Sequence, residues 1–217
     1  MTEFTLIKGG TGRYYKDYLS EELSYYLAKE LLTGSVNWVT ETFNMFGKPT
    51  DSPRLLSSMF DPNCPIPIKK KGKKPYWTED SAWVKAGKRQ WTPLMEYIKN
   101  DLERHFGIKI WYAQLNWYRN KKDYIGPHSD KEMQDSDIVF SFSLGNRRRF
   151  IFKPKEQKTD EPEKEIYLEN GSLIMFDALA GKHNYKHSLP KVRQKDLQDD
   201  TSQFGRINIT FRTMNNN

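Results

Sequence analysis

The heptapeptide RINITFR (residues 206–212) alternates Ile207, Ile209 and Phe211 with Arg206, Asn208, Thr210 and Arg212. This is the two-residue period of a β-strand. One face is apolar, and the other carries two guanidinium groups, an amide and a hydroxyl. On a surface strand that polar face would simply be wet. Inside a barrel it is suited to holding a dicarboxylate, because arginine's planar fork binds carboxylates bidentately and stays charged. Asn116 and Tyr118 share a face of a second strand-like run and offer further hydrogen bonds.

Upstream of this strand the texture is the same from about residue 108. Short β-like runs are expected at Lys109–Tyr118, Asp137–Leu144, Arg149–Lys153, Glu165–Leu168, Ser172–Phe176 and Asn184–Ser188. Many short strands at this spacing point to a sandwich or barrel. The charged insert at 153–165 reads as an exposed hairpin loop and the polar stretch at 191–203 as another loop. Residues 15–32 and 91–106 carry apolar side chains at helical spacing, with Ser20 placed to cap the first helix. Between the helices, residues 44–90 are rich in Pro, Gly and Lys. The expected architecture is α+β, mainly β. N-terminal helices pack on a C-terminal antiparallel β domain, and the Asn-rich tail at 215–217 is expected to be disordered.

A chain of 217 residues fits one domain and buries enough surface to need no disulfide; its one cysteine, Cys64, excludes an internal one. The N-terminus lacks a signal-peptide core, and no stretch approaches the roughly 18 apolar residues of a membrane span. The expectation is a soluble, intracellular monomer of the nucleus or cytoplasm, without a membrane partner. A net charge of +7 with 14% aromatic residues favours polyanions and supplies faces on which bases stack.

The chemistry centres on DYIGPHSDKE, residues 123–132. His128 and Asp130 are two residues apart, so on extended backbone an imidazole and a carboxylate face one ion. H-x-D alone is a weak motif. A third ligand from a distant strand strengthens it, and His187 in NYKHSLP is the natural choice. His183 is a minor alternative, and His105 falls on the expected helix. Two histidines and one carboxylate make the facial triad of non-haem iron(II) oxygenases, with open positions for co-substrate and dioxygen.

The ordered set comprises N-x-Y at 116–118, H-x-D-x-E at 128–132, S-x-S-x-G at 141–145, R-x-F at 148–150, N-G-S at 170–172, H-S-x-P at 187–190 and R-x-N-x-T-x-R at 206–212. It is similar in order and spacing to the catalytic domain of AlkB-family iron(II)- and 2-oxoglutarate-dependent dioxygenases, and resembles most the branch that repairs alkylated DNA. The likeness spans roughly residues 91–213, and FGKPTDSPR at 46–54 resembles that branch's nucleotide lid more loosely. It implies a double-stranded β-helix (jelly-roll) core at 91–214, preceded at 1–90 by a helix and nucleotide-recognition lid. It implies iron(II) on His128, Asp130 and His187. It also implies that Arg206, assisted by Tyr118, pairs with the distal carboxylate of 2-oxoglutarate. Arg212, Asn208 and Asn116 would lie around the co-substrate's other end and the metal.

The implied activity is oxidative dealkylation of bases such as 1-methyladenine and 3-methylcytosine in DNA or RNA, releasing succinate, CO2 and aldehyde. N6-methyladenine demethylation in RNA and a non-catalytic nucleic-acid module are the alternatives. Glu132 shares the face of the ligand pair and is placed to contact a flipped base's amino group. Tyr76, Trp77 and Trp83 are stacking candidates, and Phe43, Met45 and Phe46 are candidates to plug the gap a flipped base leaves. Lys69–Lys74 reads as a phosphate-contacting loop. Pro53-Arg54 is assigned to the lid, and the role of Arg147–Arg149 stays open.

Overall fold

A computed structural model gives the structure, describing residues 1–45, 47–64, 81–131, 133–156, 162–199 and 202–213. Two short N-terminal strands, β1 (Thr2–Thr5) and β2 (Thr11–Tyr15), pair antiparallel. Helix α1 (Glu21–Glu30) follows, and the Ser20 hydroxyl accepts the Leu23 N–H as its cap. A hairpin of β3 (Thr42–Met45) and β4 (Lys48–Asp51) leads to β5 (Leu55–Phe60). The short α2 (Ala82–Lys85) precedes α3 (Pro93–Phe106), which starts on proline and stops at Gly107 in the left-handed region. The remaining strands are β6 (Tyr112–Tyr118), β7 (Ile125–His128), β8 (Ile138–Gly145), β9 (Arg148–Pro154), β10 (Lys164–Leu168), β11 (Ser172–Asp177), β12 (Tyr185–Leu189) and β13 (Arg206–Arg212).

Seven strands form a large sheet in the order β1-β2-β11-β8-β13-β6-β5, and four form a smaller one in the order β10-β9-β12-β7. All the pairings are antiparallel. Helices α1 and α3 cover one face of the large sheet. There Leu27, Leu31, Met95, Ile98 and Leu102 pack on Leu115, Phe140, Phe142, Ile207, Ile209 and Phe211. The small sheet covers the other face, with Phe150, Phe152, Tyr185 and Leu189 meeting Tyr118, Val139, Ile174 and Phe176. Two sheets face to face in this way are the expected jelly-roll arrangement.

The N-terminal third departs from the sequence reading. Strands β1, β2 and β5 complete the large sheet, so the segments before residue 90 do more than pack helices on it. β5 lacks alternation because it is covered on both sides: Leu56 to Phe60 are all buried. Trp83 belongs to that packing too. It is buried and stacked on Phe60 at 6.5 Å, not presented to a ligand. Tyr76, Trp77, Phe46, Glu132, Lys69–Lys74 and the 215–217 tail lie outside the described residues.

β13 is the hinge between core and pocket. Both its faces are buried: its apolar side chains enter the helical layer and its polar ones point between the sheets. Its start is held by close backbone contact. Gly205 and Gly145 both sit at positive φ, and a Cβ on Gly205 would come within 2.3 Å of the Tyr118 carbonyl oxygen.

Candidate metal centre and co-substrate pocket

His128 ends β7, Asp130 follows two residues later, and His187 lies on β12 directly opposite His128 in the ladder. Antiparallel pairing therefore delivers the distant histidine to the H-x-D pair. One ligand atom from each of the three lies within 4.8 Å of the others, the only such His/Cys/Asp/Glu group among the described residues. The His128 and His187 Nε2 atoms are 3.7 and 3.5 Å from Asp130 Oδ1. These separations are longer than hydrogen bonds and leave room for an ion. His128 Nδ1 is 2.9 Å from the Gly126 carbonyl, which turns Nε2 toward the cluster.

Arg212, at the far end of β13, donates through Nη2 to Asp130 Oδ2 at 2.8 Å. Burial alone would raise the Asp130 pKa. The charge of Arg212, then the two histidines, outweighs it and holds the carboxyl well below the usual range. One carboxylate oxygen thus faces the imidazoles while the other is occupied by arginine. Burial, reinforced by His187, pushes the His128 imidazole down to about 4. It is therefore neutral at pH 7, the form that binds metal. Between about 6.5 and about 4 the unfolded chain would take up a proton here that the folded protein refuses. Stability of the metal-free protein should accordingly fall as pH drops through that window. Thermal melts at graded pH check this: His128→Phe should flatten the dependence, whereas an unchanged profile would place its source elsewhere.

The pocket beside this cluster is partly open to solvent, and the polar face of β13 lines it. Arg206 is buried at 2% exposure. Its Nη2 donates to Ser143 Oγ at 2.8 Å, while Nε and Nη1 have no acceptor. Tyr118 lies alongside, its ring centre 5.3 Å from the guanidinium carbon. Burial presses the Arg206 pKa down to about 10, partly offset by Tyr118. It remains a cation at neutral pH with two donors unspent.

Asn208 donates to Ser141 Oγ at 2.7 Å and to the Phe142 carbonyl at 2.9 Å; its own carbonyl accepts from Asn116 at 3.3 Å and Thr210 at 3.1 Å. These bonds explain the S-x-S-x-G motif, whose two serines accept from Asn208 and Arg206. Arg54 is the site residue that sequence reasoning placed only loosely. It is buried and lines the pocket, with Nε donating to Asn116 Oδ1 at 2.7 Å. Its sole sequence signal is a cation directly before the apolar run of β5. Arg147–Arg149 divides by strand alternation. Arg148 turns inward and donates to the Asp123 and Pro190 carbonyls, while Arg147 and Arg149 pair outside with Glu169 and Glu165.

The 2OG-Fe(II) oxygenase superfamily model matches residues 11–212, nearly the whole chain and every residue of this pocket. The chain belongs to that superfamily. Its members are iron(II)- and 2-oxoglutarate-dependent dioxygenases, and the residues here fit both groups. Three convergent ligand atoms suit the metal, and a buried guanidinium with two unspent donors suits the carboxylate. Within the superfamily the oxygenase is similar to AlkB-type proteins. It is 31% identical over 131 residues to the DNA oxidative demethylase ALKBH2 of Homo sapiens, a match covering 57% of this chain and 47% of that protein. It is also 31% identical over 132 residues to the alpha-ketoglutarate-dependent dioxygenase alkB homolog 3 of Homo sapiens, covering 57% and 43%. The oxygenase thus matches about half the length of these curated relatives. The solved structure of OsALKBH1 superposes with a TM-score of 0.60 at 14% identity, covering 93% of this chain and 97% of that one. A 2OG-Fe(II) oxygenase-family oxidoreductase from Burkholderia pseudomallei gives 0.54 at 17%, covering 93% and 84%. Both support the fold. No helix among the described residues is long and apolar enough to cross a membrane.

Proposed function

We propose that this oxygenase removes alkyl groups oxidatively from N-alkylated nucleic-acid bases, with 1-methyladenine and 3-methylcytosine in DNA as the first substrates to test. The observation that carries the reading is one pocket holding both the His128–Asp130–His187 cluster and the uncompensated Arg206 guanidinium. The substrate class rests on likeness to ALKBH2 and alkB homolog 3, and a net charge of +7 agrees with a polyanionic partner.

On this reading His128, Asp130 and His187 hold iron(II), and Arg212 fixes the orientation of the Asp130 carboxylate. Arg206, with Tyr118 beside it, takes the distal carboxylate of 2-oxoglutarate. Asn116, Asn208 and Arg54 brace the wall between that arginine and the metal. When bound, iron(II), 2-oxoglutarate and dioxygen supply the oxidation that hydroxylates the alkyl carbon, yielding succinate and CO2. The hydroxylated group then leaves as aldehyde and the base is restored. Flipping the base out of a duplex costs a few kcal/mol. The β3–β4 hairpin, with Phe43 exposed, is the base-recognition lid of this proposal, and Glu132, Tyr76 and Trp77 are its candidate base contacts.

The test is anaerobic reconstitution with iron(II), then reaction with oxygen, 2-oxoglutarate and oligonucleotides bearing 1-methyladenine, 3-methylcytosine or N6-methyladenine. Single-stranded DNA, duplex DNA and RNA are compared by mass spectrometry. The expected result is demethylation that disappears in His128→Ala. Succinate without base repair would overturn the substrate class, and neither product would leave a nucleic-acid-binding module.

A further inference from the structure

The loop and strand that carry the metal ligands also carry lysines. Lys131 directly follows Asp130, and Lys186 directly precedes His187 on β12. Strand alternation turns Lys186 away from the pocket, onto the exposed face of the small sheet beside its cross-strand partner Lys153. Lys155 lies just beyond the end of β9. Its N–H bonds the Asn184 carbonyl at 2.9 Å, and its ammonium bonds the Lys182 carbonyl. This places it against the segment leading into β12.

Among the described residues, the acids of these segments are already engaged. Glu156 pairs with Lys8, Glu163 with Lys153, and Asp135 with Lys182 and His183. Lys131, Lys155 and Lys186 have no acidic partner among the described residues. Ser129 Oγ bonds the Tyr185 carbonyl at 3.0 Å and the Asp130 N–H bonds the Gly181 carbonyl at 3.0 Å, which sets the Lys131 loop against the segment that carries Lys186. In keeping with that placement, after burial the charges of Lys186 and Lys131 both depress the Lys155 pKa. Three exposed ammonium groups set near one another without a counter-charge among the described residues favour a bound polyanion.

We propose that Lys131, Lys155 and Lys186 form a phosphate-binding patch that takes the sugar–phosphate backbone of the nucleic-acid strand beside the metal centre. The inference rests on the nucleic-acid reading above and adds the face along which the strand runs. It is independent of Lys69–Lys74. Three ammonium groups at the rim and outer face would contact consecutive phosphates while base edges stay free. The patch therefore supplies affinity without sequence preference.

The test is fluorescence anisotropy of a labelled, unmodified single-stranded oligothymidylate against the iron(II)- and 2-oxoglutarate-loaded protein, held anaerobic, across a salt series. Each phosphate contact on a single strand contributes about 0.7 to the slope of log affinity against log salt. The triple variant Lys131→Ala, Lys155→Ala, Lys186→Ala should lose about two from that slope and bind about a hundredfold more weakly near 0.1 M salt. Arginine at the three positions should restore both. A control with Lys16→Ala and Lys29→Ala, which removes charge elsewhere, should keep the parent slope. Triple-variant binding equal to the parent, or an equal loss in the control, overturns the patch. A parent that binds and repairs nucleic acid while the triple variant matches it sinks only the patch. A parent that binds no oligonucleotide and repairs no base sinks the substrate reading as well. Tighter binding of anionic lipid vesicles than of oligothymidylate would assign the patch to a membrane surface and also overturn the proposal.

Discussion

Arg206→Met is expected to weaken 2-oxoglutarate binding about a hundredfold or more while leaving the ligand-free protein as stable as the parent, or more so. The guanidinium is buried, spends one nitrogen on Ser143 and leaves two without acceptors. Its pKa, down to about 10, records that the fold holds the charge at a cost. A carboxylate arriving in the pocket would take both unspent donors in the bidentate geometry arginine is built for. Removing one partner of a buried pair costs about 3–5 kcal/mol, which is a factor of roughly a hundred to several thousand in affinity. Methionine fills similar space without a charge to desolvate, so the empty protein loses nothing. Calorimetric titration of the metal-loaded protein and thermal melts of the ligand-free protein read the two halves separately. A Met variant that binds 2-oxoglutarate within tenfold of the parent would refute the role. A Met variant that melts early, with affinity kept, would make Arg206 a structural residue. Arg206→Lys should recover only part of the affinity, because a point charge lacks the fork.

The C-terminal β domain was legible because its strands are one-sided or end on unambiguous signals. β13 was placed to the residue, and β8, β10 and β11 to within about one residue at each end. The N-terminal strands were not. β1 and β2 are four and five residues long with a glycine-containing turn between them, too short for a period to declare itself. β5 is buried on both sides, so its LLSSMF run shows no alternation in a region otherwise marked by Pro, Gly and Lys. β7, written IGPH, contains the two residues least associated with strands, and it pairs only at the sheet edge with β12.

The site divides on the same physical line. Residues whose chemistry repeats at strand spacing were legible: His128 with Asp130, Asn116 with Tyr118, and the polar face of β13. What spacing alone could not give was the division of labour between the two arginines. The structure separates them by partner, with Arg212 on the Asp130 carboxylate and Arg206 on a serine, with donors to spare. Arg54 was hard to see because it lies just before the edge strand β5 and enters the pocket across Asn116, a contact that the β5–β6 pairing creates.

Asp130→Ala should abolish iron(II) binding and turnover, as His187→Ala should, yet the two metal-free variants should differ sharply in stability. Deleting His187 removes one imidazole ring from the cluster. Deleting Asp130 takes the carboxylate from the buried Arg212 guanidinium and leaves that charge without its 2.8 Å partner. The penalty for breaking a buried pair from one side is about 3–5 kcal/mol. For a chain of this size that is a fall of roughly 6–20 °C in melting temperature. Asp130→Ala with Arg212→Met together should regain most of that loss without regaining metal, because the stranded charge is gone. The pH dependence follows from the depressed Asp130 carboxyl. Its stabilisation is complete above the ordinary carboxylate range, about 4, and is lost progressively as pH falls below it. Melts of the parent, both single variants and the double variant, with and without iron(II) under anaerobic conditions, decide the matter. Equal destabilisation of Asp130→Ala and His187→Ala, with no recovery in the double variant, would mean that the Arg212–Asp130 pair contributes nothing to the fold and that the carboxylate is held for metal alone.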